Sequence, residues 1–172
     1  MNSIQLLRNQ LKGVHELQES TMADVSAEAA HFNETGKAYP VGAAYAHSVI
    51  SEDIIVSSML AKKDPVVKEG EDIGLSEPMP SFQEWDKNEA WVKSVKIDLD
   101  KFKEYAQKVY QATDEYIATL TEDDLDDEVD MGEWGKHKRS DVLSNFVILH
   151  IANLTGEISA AKGFQGLKGY PF

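Results

Sequence analysis

Helical spacing of apolar residues is the feature that most constrains how this chain can fold. Apolar residues recur every three or four positions along four long segments, which we expect to be helices over about 3–31, 41–62, 98–120 and 141–162. Ser140 is the expected N-cap of the last long helix, and Gly163 is its expected C-terminal residue. A short helix is expected over about 82–93, because Ser81 and Glu84 match a capping box.

The expected fold is therefore an all-α four-helix bundle with one short extra helix and long connections. No alternating strand signal extends beyond a few residues, and the segment DPVVKEGEDIGLSEPMP is too rich in proline and glycine for regular structure. A chain of 172 residues can bury one sizeable core, and its composition does not shift abruptly. We expect a single domain spanning 1–172.

Charge argues against two classes of partner. The chain carries 17 Lys and Arg against 30 Asp and Glu, and its net charge of −13 repels phosphate backbones and anionic lipid surfaces. A basic cluster over 136–139 comes shortly after TEDDLDDEVD, whose carboxylates are expected to cancel its field. Nucleic acid and membranes are therefore not expected as partners.

The absence of cysteine limits the available chemistry. Disulfides, thiolate nucleophiles and cysteine-ligated zinc are excluded, so any metal must take imidazole, carboxylate or water. The N-terminus MNSIQLLRNQ lacks a continuous apolar signal region, and no segment is long and apolar enough to span a bilayer. We expect a cytoplasmic protein.

Two histidines lie on the apolar stripes of separate expected helices and are the best functional candidates. His47 lies on the second long helix and His150 on the fourth. Burying an imidazole without a partner costs about 1–3 kcal/mol, so each ring should be hydrogen bonded or bound to a metal. A divalent metal held by imidazoles needs about three converging ligands, and Leu154 occupies the position one turn after His150.

Three further residues are candidates for orienting the histidines or lining a pocket. Glu157 shares the face of His150 but lies about 10.5 Å along the helix axis, too far to share an ion directly. Asp53, like Glu52 beside it, is turned away from His47 and either reaches a neighbouring segment or lies on the helix surface. His31, near the end of the first helix, could approach the mouth of the pocket. Its rotation from His15 is about 160°, so the two cannot both face the site.

The segments around the two histidines resemble the metal-site segments of the DinB-like superfamily, which are four-helix bundles. AYPVGAAYAHSVISED is similar to the family's second helix, with its single metal histidine at His47. HIANLTGEISAAKG resembles the family pattern H-x-x-x-H-x-G-Q at His150, Gly156 and, less closely, Glu157. The resemblance covers essentially the whole chain, and KGFQGLKGYPF is similar to the tail of one bacterial subgroup.

The resemblance implies a divalent ion, often zinc or nickel, on three histidines, and in some relatives thiol-dependent chemistry. Those relatives include mycothiol-dependent maleylpyruvate isomerase and bacterial thiol S-transferases, in which the metal presents a thiolate to an electrophile. This sequence departs from the pattern at Leu154, which cannot bind a metal. Metal occupancy and catalysis therefore both depend on whether two imidazoles suffice.

Two hypotheses stay open. In the first, the chain is a metal-dependent, thiol-dependent S-transferase or a related lyase or hydrolase, with His47 and His150 as ligands and a low-molecular-weight thiol as co-substrate. In the second, it is a metal-free, dimeric binding or interaction protein whose pocket holds a small molecule or nothing. The glycine-spaced aromatic tail over 163–172 is expected to pack on the bundle or on a second subunit. No catalytic residue is identified.

Overall fold

Four long helical units form the framework of the molecule in the computed structural model, which describes residues 1–33, 38–68, 70–81, 84 and 87–172. In chain order the elements are α1 (Ser3–Met22), α2 (Ala27–Ala30), α3 (Val41–Asp53), α4 (Asn88–Ser94), α5 (Leu99–Ala118), β1 (Glu128–Asp130), β2 (Lys136–Lys138), α6 (Arg139–Asp141) and α7 (Leu149–Phe164). A π-helical segment, Ile54–Leu60, continues α3, and a second, Val142–Ile148, joins α6 to α7. Two short 3₁₀ turns, Asp123–Asp126 and Gly132–Trp134, flank β1.

The four long helices close into a bundle. Helix α1 packs against α5 and α7, and α3 packs against the same two helices, so each has two neighbours. The predicted all-α four-helix bundle is confirmed. Among the described residues, no helix combines the length and the apolar character needed to cross a membrane.

Helix α3 is the central element, because every residue from Val41 to Asp53 is buried. The short α2 and α4 also pack against α3. Small residues permit this close packing: a Cβ on Gly42 would lie 2.6 Å from Cγ2 of Ile97 and 3.1 Å from the carbonyl oxygen of Ala30. The surface position considered for Glu52 and Asp53 is therefore wrong, since a helix covered on all sides has no solvent face.

The ends of the first and last long helices differ from the prediction. The first helix stops at Met22 instead of continuing to 31, because Ser26 caps a separate turn by accepting a hydrogen bond from the Ala29 amide at 3.1 Å. The last helical unit starts at Arg139, so Ser140 lies inside it and is not its N-cap. At its other end Gly163 is helical, and the left-handed residue is Gly166, with φ of +73°.

The connections contain one feature that the sequence did not predict. Strands β1 and β2 form an antiparallel hairpin in which Glu128 faces Lys138 and Asp130 faces Lys136. The acidic and basic runs thus pair across a short ladder, and strands of three residues are too short to show alternation in the sequence. The predicted helix over 82–93 falls partly on residues 82, 83, 85 and 86, which lie outside the described residues; the described helix there is α4.

Candidate functional site: a histidine pair between two cavities

The structure brings together the two histidines singled out in the sequence. The ring centroids of His47 on α3 and His150 on α7 are 5.1 Å apart, and the rings meet edge to face. His47 is 6% exposed, whereas His150 is only partly buried. Direct packing of α3 against α7 creates this site from residues far apart in the chain.

Both imidazoles are neutral near pH 7. Burial lowers the pKa of His47 to about 4, and the nearby His150 lowers it further in the same direction. Burial also lowers the pKa of His150 from its ordinary value. A neutral imidazole carries one N–H donor and one acceptor nitrogen, so the pair presents two of each.

The pair lies at the end of a cavity of about 560 Å³, which we call the hairpin cavity. Its wall combines apolar side chains from the bundle with polar groups from the β1–β2 turn. The lining residues are His47, Ser51, Ile55, Met59, Asp130, Met131, Gly132, Glu133, Trp134, Asn145, Phe146 and His150. A volume of this size matches that of small-molecule sites, which are typically apolar with a few polar groups.

Both π-helical segments contribute to the hairpin cavity. Ile55 and Met59 come from the first segment, and Asn145 and Phe146 from the second. The wider winding is visible in the hydrogen bond from the Ala61 amide to the Val56 carbonyl oxygen, at 2.8 Å and five residues apart. Such segments are often found at functional sites, because the extra residue changes the direction of side chains.

A second hollow, of about 670 Å³, lies on the other side of the histidine pair. We call it the tail-side cavity, because it lies towards the end of α7. Its lining residues are Ala38, Tyr39, His47, His150, Asn153, Leu154, Glu157, Ala160, Ala161 and Phe164. The two imidazoles therefore line both cavities.

The donor set does not fit a three-histidine metal centre. A catalytic zinc site takes about three protein ligands and leaves one position open. Within the described ranges, no three side chains of His, Cys, Asp or Glu form a group that could hold a metal ion. Leu154, which is 5% exposed, lines the tail-side cavity one turn beyond His150. A hydrocarbon side chain thus occupies the position where the DinB-like pattern has its third histidine.

Glu157 lies in the tail-side cavity together with Tyr39. The Tyr39 ring meets the His47 ring edge to face, with centroids 5.9 Å apart, and its hydroxyl accepts a hydrogen bond from Asn88. Burial raises the pKa of Tyr39, and the Glu157 carboxylate raises it further. Glu157 is therefore a pocket-lining residue near the histidine pair.

Asp53 serves a different part of the molecule. Its two carboxylate oxygens accept hydrogen bonds from the Ser57 hydroxyl at 2.8 Å, the Tyr105 hydroxyl at 2.9 Å, and the amides of Val66 and Val67 at 2.9 and 3.2 Å. These bonds fasten the loop after the first π-helical segment to α3 and α5. Asp53 does not line either cavity described above.

His31 also has a local structural contact. Its Nε2 accepts a hydrogen bond from the Ile97 amide at 2.9 Å, which links the end of α2 to the start of α5. Burial lowers the pKa of His31, and the charge of Lys96 lowers it further. It does not line the hairpin cavity or the tail-side cavity.

Sequence reasoning missed a buried polar network on α1. His15 Nε2 lies 2.9 Å from Glu52 Oε2, and its ring stacks on Tyr110 with centroids 3.8 Å apart. Gln18 donates to Ser48 at 2.8 Å and accepts from the Tyr110 hydroxyl at 3.1 Å. The signal was present in the spacing, because the two residues continue the buried stripe of Leu7, Leu11 and Met22.

Two buried oxygen atoms on α3 lack a hydrogen-bond partner among the described residues. They are the Ser51 hydroxyl and the second carboxylate oxygen of Glu52, in side chains that are each 2% exposed. Ser51 lines the hairpin cavity one helical turn after His47. Leaving a buried polar atom unsatisfied costs about 1–3 kcal/mol, so each such atom calls for an explanation.

Comparison with known proteins supports the fold and leaves the function open. No protein-family model matches the sequence, and no curated protein matches it significantly. Among solved structures, the chain is similar to a conserved protein from Enterococcus faecalis, with a TM-score of 0.80 and 20% identity over 94% of this chain and 96% of that chain. At that identity the likeness shows a shared helical fold.

Proposed function

We propose that the chain is a DinB-like four-helix bundle that binds a small organic molecule in the hairpin cavity, without a metal. The observation that carries this proposal is the neutral histidine pair at one end of an apolar cavity, with no third metal ligand among the described residues. The DinB-like assignment is supported by the HIANLTGE segment and by the bundle that places it opposite His47.

The chemistry of the wall suits an organic ligand. Ile55, Met59, Met131 and Phe146 supply hydrocarbon, thioether and aromatic surface. The imidazoles and the Ser51 hydroxyl supply hydrogen-bonding groups at the buried end. A ligand that buries an apolar body and places one polar atom there would remove apolar surface from water and satisfy the hydroxyl.

Titration with a neutral fluorescent probe, N-phenyl-1-naphthylamine, tests the proposed binding. We expect saturable enhancement of fluorescence with one probe bound per chain. Met59→Trp should weaken binding by about tenfold or more by filling the cavity, whereas the matched control Met59→Leu keeps the volume and should bind as the wild type does. Urea unfolding of both variants checks that they are folded. Equal binding by Met59→Trp and Met59→Leu would place the probe elsewhere and refute the proposal.

The second candidate function is a metal-dependent, thiol-dependent transferase. The 5.1 Å separation of two neutral imidazoles favours it, because neutral rings keep a lone pair available to a metal. Its zinc or nickel would be held by His47 and His150, with solvent or a thiol completing the coordination.

Metal analysis of protein purified without a His tag separates the two candidates. The enzyme hypothesis expects stoichiometric zinc or nickel that is lost in His47→Ala and retained in His137→Gln, which alters a histidine on β2. The absence of bound metal after loading with either ion would end the metal hypothesis and leave the binding protein.

A further inference from the structure

The hairpin cavity has a one-sided charge. Among the residues that the structure describes, its lining includes two carboxylates, Asp130 and Glu133, and no lysine or arginine. Lys136 faces Asp130 across the β ladder but is not a lining residue. The two carboxylates would therefore repel an anionic ligand, in a chain whose net charge is already −13.

Aromatic surface accompanies the two carboxylates. Trp134 lies in the same turn as Glu133. Trp134 and Phe146 both line the hairpin cavity, and their ring centroids are 5.9 Å apart. The face of an aromatic ring attracts an ammonium group, most strongly in the case of tryptophan. Carboxylates beside indole and phenyl rings thus form a site suited to an organic cation.

The buried end of the cavity points independently to a bound molecule. The Ser51 hydroxyl lines the cavity, is 2% exposed, and has no hydrogen-bond partner within the described part of the chain. A hydroxyl in this position can donate or accept. A ligand with a polar atom at its far end would give it a partner.

We propose that the ligand of the hairpin cavity is an amphiphilic organic amine. Its ammonium group lies at the mouth beside Asp130, Glu133 and Trp134. Its apolar body follows Met59 and Met131 inwards, and its far end carries a hydrogen-bonding group that meets Ser51. This inference rests on the proposed binding function and names the class of ligand.

A set of probes with the same carbon skeleton tests the charge preference. We would titrate the wild-type chain by calorimetry with 4-phenylbutylamine, 4-phenylbutanol and 4-phenylbutyrate. The amine should bind about fivefold or more tightly than the alcohol, and the carboxylate should bind most weakly. Adding a phenolic hydroxyl to the amine should tighten binding in the wild type and have no effect in Ser51→Ala.

A pair of double variants assigns the preference to the cavity. Asp130→Asn with Glu133→Gln should make the amine and the alcohol bind equally. The matched control, Asp123→Asn with Glu128→Gln, makes the same change of net charge outside the lining and should keep the preference. Equal binding of amine and alcohol to the wild type overturns the inference while leaving the proposed pocket intact. A preference that survives in Asp130→Asn with Glu133→Gln overturns it too. Failure of all three probes to bind also overturns it, and the neutral dye then decides separately whether the binding function stands.

Discussion

The buried His47 ring should make folding stability depend on pH in a defined window. Its pKa is about 4 in the folded chain against an ordinary value of 6.5. The unfolded state therefore binds a proton more readily than the folded state over this interval. The contribution of His47 to the free energy of unfolding is therefore fully present above pH 6.5 and is lost as the pH falls towards 4. From this pKa difference, the free energy of unfolding should fall by about 2 kcal/mol between pH 7 and 5, and by about 3 kcal/mol by pH 4.

The substitution His47→Phe isolates this effect, because it keeps a buried ring and removes the proton-binding nitrogens. Urea unfolding at pH 7, 6 and 5 would give the free energy of unfolding of the wild type and the variant. Between pH 7 and 5 the variant should lose about 2 kcal/mol less than the wild type. His137→Gln is the matched control and should follow the wild type, since it alters a histidine outside the bundle interior. Parallel pH profiles for His47→Phe and the wild type would refute the reasoning.

Three further predictions concern the hydrogen bonds of Asp53, the position of Leu154 and the packing of the tail. Asp53→Ala removes the acceptor of four hydrogen bonds and should lower the free energy of unfolding by about 3–5 kcal/mol. Ser57→Ala removes only one of these bonds and should lower it by about 1 kcal/mol. Equal losses in urea unfolding would contradict this prediction. Leu154→His should tighten zinc binding at least about tenfold in a calorimetric titration if the geometry is that of the DinB-like pattern, while Leu154→Gln should not; an unchanged titration for both would reject that geometry. Gly169→Ala should loosen the tail and speed its amide hydrogen exchange, because a Cβ there would lie 2.4 Å from the Ser159 hydroxyl. In the control Gly163→Ala, the added Cβ lies in a helix and meets nothing within 4 Å, so this variant should raise the melting temperature. Similar effects of the two variants would count against the observed packing of the tail.

The helical framework could be predicted because it depends on local spacing. Periodic apolar residues identified the four long helices. For α5, both predicted ends lie within two residues of the observed ends. The errors occurred where a competing local contact ended or extended a helix, as at Ser26 and Gly166. Such contacts involve single side chains and turn geometries, so periodicity does not report them.

The candidate site was only partly predictable. The positions of His47 and His150 on apolar stripes pointed to the bundle interior, and the structure brings them together. The two π-helical segments and the β hairpin that complete the hairpin cavity left no recognisable pattern. Asp53 and His31 were reasonable candidates by position, but each is held by contacts outside the cavities described here.

The amino-acid sequence by itself determined the helical class, the negative charge and the presence of imidazoles on two buried helix faces, because each follows from residue type and short-range spacing. Only the tertiary structure decided that those imidazoles meet, that Leu154 lines a cavity beside them, and that Ser51 lines a cavity together with two acidic residues of the hairpin. These features depend on how α3, α7 and the hairpin are placed in space. That placement results from the summed packing of many side chains distant in the chain, which no local pattern encodes.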